Sequence, residues 1–200
     1  MSLDAYINGR SNDPKPMLGL LYQQMQRCTD CKYAHLSVNC IKKLWGKPGE
    51  KRILVISQNP SWYWYEKKYS LPHVMGALDG FDKKFGGLLS NFMSKVGINW
   101  KDFYITNVMK CATENNSSPL ATAVDRCAAK WLVQELVIIR PKKIVVLGSV
   151  AKQCVEKMVH VMAMKGNVVY LPHPSSIKTK EEALGFSRAF VEAIKWKSSS

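Results

Sequence analysis

The chain has 200 residues, of which 46% are hydrophobic, so it is not a disordered polypeptide and has room for one domain, taken as residues 1–200. It has no apolar run of about 18 residues, so no transmembrane helix is expected, and the polar stretch from Met1 to Pro16 lacks a secretion signal's apolar core, so an intracellular protein is expected. The net charge of +14, from 29 Lys+Arg against 15 Asp+Glu, suits a polyanionic partner such as nucleic acid, against the plainer reading of a Lys-rich soluble surface.

Residues 18–27 read as a short helix leading to Cys28. The run ILVIS (53–57) is a buried strand with a turn over 58–61 at its end. Residues 85–96 carry apolar side chains at helical spacing, and Gly97 is the stop. Residues 103–106 (FYIT) form a second strand. Ser118 and Pro119 supply an N-cap and a proline at the first helical position. The helix that follows has Leu120, Ala123, Val124, Cys127, Ala128, Trp131 and Leu132 on one face and ends before Pro141. Residues 144–147 (IVVL) are a third strand, and Gly148-Ser149 opens another helix. Residues 168–171 are a fourth strand, followed by the loop 173–177 and a closing amphipathic helix over 181–196; the tail from Lys195 is expected to fray.

Buried, unalternated strands separated by helices indicate an α/β fold of three layers, α/β/α, around a central, mostly parallel four-stranded sheet. Ligands of such folds sit beyond the carboxyl ends of the strands. The segments 58–61, Asn107, Gly148-Ser149 and 173–177 are therefore expected to meet at one site.

Six cysteines in a reducing compartment are poor candidates for disulfides. Cys28 and Cys31 form a C-x2-C pair, and fifteen residues separate Cys111 from Cys127. Four thiolates suit zinc or an iron–sulfur cluster, and spacing alone does not choose between them. The competing reading makes Cys127 a small apolar residue on a helix face. Cys154 reads as core, and Cys40 has no partner in this pattern.

Three further segments carry polar groups to strand ends. In Ser57-Gln58-Asn59-Pro60-Ser61, Pro60 stiffens a turn that could aim Asn59 into the cleft to orient a water; the alternative is an ordinary Asn-Pro turn. His173, on the Pro-stiffened loop His173-Pro174-Ser175-Ser176-Ile177, is placed to donate to developing negative charge, and Ile177 could wedge into DNA; the alternative is a loop histidine with no role. His35, His73 and His160 lack such a setting and read as structural. Asn107 has one donor and one acceptor to read a base edge, or it simply terminates a strand.

Together, the C-x2-C pair, ITNVMKC, the gap to Cys127, RPKKIVVLG and HPSS resemble the uracil-DNA glycosylase superfamily, closest to its iron–sulfur branch, family 4. The resemblance runs from about Cys28 to Ile177. It implies that Cys28, Cys31, Cys111 and Cys127 ligate a [4Fe–4S] cluster, that Asn107 reads uracil, and that His173 stabilises the departing uracil anion. Phe81 would stack on the flipped base, with Phe85 as the alternative. Gln58 and Ser61 would also line the base site, and Ser149, Ser175, Ile177 and Lys178 would face DNA. Where the iron–sulfur branch has GEAPG, this chain has Ser57-Gln58-Asn59-Pro60-Ser61, whose Asn-Pro resembles the single-strand-selective and mismatch-specific branches, in which Asn holds the water. The aromatic run of Trp62, Tyr63, Trp64 and Tyr65 follows it. The expectation is a monomeric enzyme that excises uracil from single- or double-stranded DNA, with other deaminated or 5-substituted bases as further candidate substrates. The alternatives are a non-catalytic nucleic-acid-binding member of the fold and a zinc-stabilised domain with unrelated chemistry.

Overall fold

The computed structural model describes residues 14–34, 52–61, 75–162 and 168–195. Cys40, His35, His73, the aromatic run 62–65 and the tail 196–200 lie outside the described residues, as does the side chain of His160.

Helix α1 (Lys15–Gln26) comes first, followed by β1 (Ile53–Ser57), α2 (Met75–Lys84), α3 (Leu88–Ser94) and β2 (Phe103–Asn107). Helix α4 (Ala121–Cys127) runs through a π turn (Ala128–Leu132) into α5 (Val133–Ile139). Strand β3 (Lys143–Leu147), α6 (Ser149–Met162), β4 (Val168–Leu171), a 3-10 turn (Pro174–Ser176) and α7 (Lys180–Ile194) complete the order. The strands form one four-stranded sheet in the order β2-β1-β3-β4, and every pairing is parallel.

Alternate side chains of each strand serve opposite faces, as the two-residue period of a pleat requires. Leu54, Ile56, Tyr104, Ile144 and Val146 pack with α1, α4, α5 and α6. Ile53, Val55, Phe103, Ile105, Val145 and Leu147 pack with α2, α3 and α7. Two apolar layers on one sheet explain why β1 and β2 are buried along their whole length. The edge strand β4 is less covered, with Val169 37% exposed. The expected α/β/α architecture is thus present. Among the described residues, no helix is long and apolar enough to cross a membrane.

Three local expectations need correction. The helix expected over 85–96 is broken. Gly86 and Gly87 take φ of 66° and 77°, values that side-chain-bearing residues avoid, and α3 begins afresh at Leu88. The buried Asp82 carboxylate accepts from Leu89 N (2.8 Å), Ser90 N (3.1 Å) and the Ser90 hydroxyl, so it satisfies the new helix start in place of a cap. Helix α4 begins at Ala121, not at Pro119, and has no side-chain cap; instead Thr113 Oγ1 donates to Ser117 O (2.6 Å) and shapes the approach. The closing helix starts at Lys180 under a capping box, in which Thr179 Oγ1 accepts from Glu182 N and the Glu182 carboxylate accepts from Thr179 N.

Candidate active site and cysteine cavity

Because the sheet is parallel, the carboxyl ends of all four strands open on one edge. Ser57 and Asn107 end paired strands in register, and Ser57 Oγ donates to Asn107 Oδ1 at 2.6 Å. The ladder continues into the first motif: Val108 N donates to Ser57 O (2.9 Å) and Met109 N to Gln58 O (3.0 Å). At the other side of the sheet, Gly148 N donates to Leu171 O (2.9 Å), and His173 follows two residues later. Asn107 and His173 thus end the two outer strands, with Asn59 and Gly148 between them. Three strand spacings amount to about 14 Å, room for a pyrimidine ring gripped from opposite edges.

Asn59 is half-buried. Its Nδ2 donates to Pro60 O (3.0 Å) and Thr113 Oγ1 (3.4 Å). With the amide nitrogen engaged, Oδ1 is the end available to accept from a water. Ser61 Oγ donates to Asn116 Oδ1 at 3.2 Å, so the first motif is bound to the loop after Cys111 at two points. Asn115 and Asn116 in that loop both have positive φ, of 51° and 55°.

The backbone sets the tautomer of His173. Its Nδ1 accepts from Ser175 N (3.2 Å) and lies 2.7 Å from Ser175 Oγ. A ring nitrogen that accepts from a backbone N–H is unprotonated, so in the neutral ring the proton sits on Nε2. Burial lowers the His173 pKa below the ordinary 6.5 and favours that neutral form. His173 shares an open pocket with Ser149, Lys152, Tyr170 and Ser176. Ser149, Ser175 and Lys178 are exposed around it, and Lys178 Nζ donates to Ser175 O (2.8 Å).

On the sheet face that carries α1 and α4, Cys28, Cys31, Cys111 and Cys127 line a single cavity with Asp30, Lys110, Arg126 and Trp131. The C-x2-C turn is fastened to the helix bearing Cys127 at two points: Arg126 Nη1 donates to Asp30 O (2.7 Å), and Lys130 pairs with the Asp30 carboxylate (2.7 Å). Lys110 N donates to Cys127 Sγ at 3.3 Å. Burial pushes the Cys127 thiol up to about 11, while the charge of Lys110 pulls it down. Among the described residues, no three His, Cys, Asp or Glu side chains are grouped to hold a single metal ion. Cys154, on α6, is 4% exposed and packs in the core, as its sequence setting suggests.

The sequence model of the Uracil DNA glycosylase superfamily matches residues 45–196, most of the chain. The chain belongs to that superfamily. Three curated relatives are each a "Type-4 uracil-DNA glycosylase". The Archaeoglobus fulgidus protein is 43% identical over 68 residues, 34% of each chain. The Pyrobaculum aerophilum protein is 28% identical over 143 residues, 69% of this chain and 64% of its own. The Thermotoga maritima protein is 28% identical over 156 residues, 76% and 74%. The chain therefore spans less than two thirds of the first two relatives.

Two of the expected site residues of this superfamily member are buried in the structure. Phe81 is 4% exposed, its ring packed between Phe85 (5.0 Å) and Phe186 (4.8 Å). It is a core residue of α2, and only the half-buried Phe85 keeps open surface. Ile177 is 6% exposed in the same cluster. The 3-10 turn folds its side chain inward, and Lys84 Nζ donates to its carbonyl (3.1 Å), so it does not project as a wedge.

A buried charged network went unread in the sequence. Lys110 and Glu135 form an ion pair at 2.6 Å with side chains 2% and 0% exposed. Glu135 also accepts from Tyr104 Oη (3.0 Å) and Thr106 Oγ1 (2.9 Å), and the Tyr104 hydroxyl meets that of Tyr22. The available signal was a charge on the apolar face of a helix, in VQELVII.

Proposed function

We propose that this superfamily member is a single-domain glycosylase that hydrolyses the N-glycosidic bond of uracil in DNA. The observation that carries the reading is His173, neutral, with its proton on Nε2, across the strand ends from Asn107. The type-4 names of the relatives support the same chemistry. A base in a duplex is out of reach, so it is flipped out or taken from a single strand. Uracil lies across the strand ends, with its edge read by Asn107 and its face against Phe85; Gln58 and Ser61 complete the wall. As the bond from C1′ to the base nitrogen breaks, the electron pair moves onto uracil, and His173 Nε2–H stabilises the charge on O2. One such donor is worth about 3–4 kcal/mol of transition-state stabilisation. Asn59 Oδ1 holds the water whose oxygen bonds to C1′; the proton that this water gives up passes to solvent, from which the released uracil anion takes one up. The +14 chain grips phosphates through Ser149, Ser175, Lys178 and their basic neighbours.

The donor set fits a [4Fe–4S] cluster: four thiols share one cavity, and the type-4 names of the relatives favour a cluster over zinc. Arg126 in the wall offsets part of the charge of four thiolates. When bound, the cluster would cross-link the C-x2-C turn, the segment after β2 and α4, and no hydrolytic step passes through it. Reduced thiols fit an intracellular protein.

A gel assay of base release from uracil-containing single- and double-stranded oligonucleotides tests the reading. Release of free uracil, leaving an abasic site, is the expected result. Salt-dependent binding without release would instead make the chain a non-catalytic DNA-binding member of the fold.

A further inference from the structure

Lys110 touches both halves of the molecule's chemistry. Its backbone N–H meets Cys127 Sγ, and the residue lines the cysteine cavity. Its Nζ makes three bonds: to Thr106 Oγ1 (2.7 Å), to Asn107 O (2.7 Å) and to Glu135 Oε2 (2.6 Å). An ammonium has three protons to donate, so Nζ is fully used. Glu135 spreads its acceptors over Tyr104, Thr106 and Lys110. A charge pair this deep is seldom a gain in stability over an apolar pair of similar volume, because both ions lose their hydration. What it supplies here is geometry. The peptide of Asn107 is held by Lys110 while its side chain is held by Ser57.

We infer that Lys110, braced by Glu135, is a positioning residue that fixes Asn107 against the wall of the cysteine cavity, so that uracil affinity depends on the pair. The inference rests on Asn107 reading uracil. It adds that the reading residue is set by groups that never touch the base.

The test uses the full chain with iron content measured. Lys110→Met with Glu135→Gln removes both charges together, so neither is left stranded. Thr106→Val is the second variant, which takes away one partner of Nζ and leaves both charges in place. Inhibition of base release by free uracil is the decisive readout, because a merely structural role would not move it in a folded, iron-loaded protein. The double variant is expected to bind free uracil about tenfold more weakly, the scale of a lost charge-assisted hydrogen bond. Its kcat should fall about tenfold or more, since an ångström-scale misplacement costs up to about a hundredfold. Affinity for uracil-free single-stranded DNA stays within about twofold, and Thr106→Val shows the same pattern, weaker by about threefold. Uracil inhibition unchanged in either folded variant, whatever its iron content, overturns the inference while leaving the base reading intact. A parent protein that neither releases uracil nor is bound by it overturns the base reading itself, and the positioning role with it.

Discussion

Gly148 lies directly against His173: a Cβ built on Gly148 would stand 3.1 Å from the Cβ of His173. Gly148 also has φ of +90°, a conformation that costs a side-chain-bearing residue about 1–3 kcal/mol. Gly148→Ala is therefore expected to push the imidazole away from the cleft. Base release should slow by about tenfold or more, with a lower melting temperature and near-normal affinity for uracil-free DNA. Equal kcat in the variant would show that the contact relaxes without moving the ring.

His173 makes catalysis and stability respond to acid in the same direction. Its folded pKa lies below 6.5, so below that pH the unfolded chain takes up this proton first. The His173 share of stability is present above pH 6.5 and is lost as pH falls through the window between the unfolded and folded values. The acid limb of kcat/KM should lie below 6.5, where Nδ1 would have to give up its bond from Ser175 N. His173→Ala should lose about 100- to 1,000-fold in kcat, as for one oxyanion donor. Its stability should depend less on pH over that window, which parallel denaturation series would show.

Removal of single thiols tests the cavity. Cys28→Ala or Cys111→Ala should bleach the brown colour of a loaded protein and lower its stability, because metal binding and folding are coupled. Cys154→Ala should keep its iron, since that thiol belongs to α6 and does not line the cysteine cavity. Iron per chain, measured on purified variants, checks both statements.

Ser61 presents a small side chain that hydrogen-bonds sideways to Asn116. A pocket with no bulky group at that point discriminates against a methyl by only about 1–3 kcal/mol. We expect 5-hydroxymethyluracil to be released at a measurable rate, and Ser61→Tyr to narrow release to uracil. A parent enzyme that rejects every 5-substituted base would mean that another residue fills the space.

Ser187 is the one orphan among the described buried side chains. It is 0% exposed, between Phe186 and Phe190 in sequence, and its hydroxyl has no partner. An unsatisfied buried hydroxyl costs about 1–3 kcal/mol. Ser187→Ala should raise the melting temperature by about 2–4 °C for each kcal/mol recovered, with unchanged base release.

The strands were readable because buried parallel strands are continuous apolar runs, and the common edge followed because such strands end together. That Asn59, Asn107 and His173 stand at strand ends could be read from that rule alone. Phe81 and Ile177 could not. An apolar side chain near a loop has the same chemistry whether it plugs a core or enters DNA, and only the packing of α2 against the turn after β4 decides. The apolar spacing over 85–96 ran through Gly86 and Gly87 unbroken, and it took the left-handed backbone there to end one helix and begin another. Lys110 and Glu135 stand in different elements, and no local pattern predicts that they meet.

The π turn between α4 and α5 has a consequence for rotational phase. Eight residues of regular α-helix turn through roughly 800°, which would leave positions 127 and 135 about 80° apart around the axis. A π turn absorbs one residue and reduces that difference to about 20°. Cys127 and Glu135 then look the same way, and one lysine meets both, the first with its backbone and the second with its side chain. Removing a single residue from Ala128–Leu132 would leave seven regular steps, about 700°, and keep Glu135 and Cys127 in phase, whereas straightening the turn at full length would rotate Glu135 by about 100° relative to Cys127. Deletion of one residue and straightening of the turn are thus different perturbations: the first keeps the cysteine wall and the strand that ends in Asn107 on one lysine, and the second parts them.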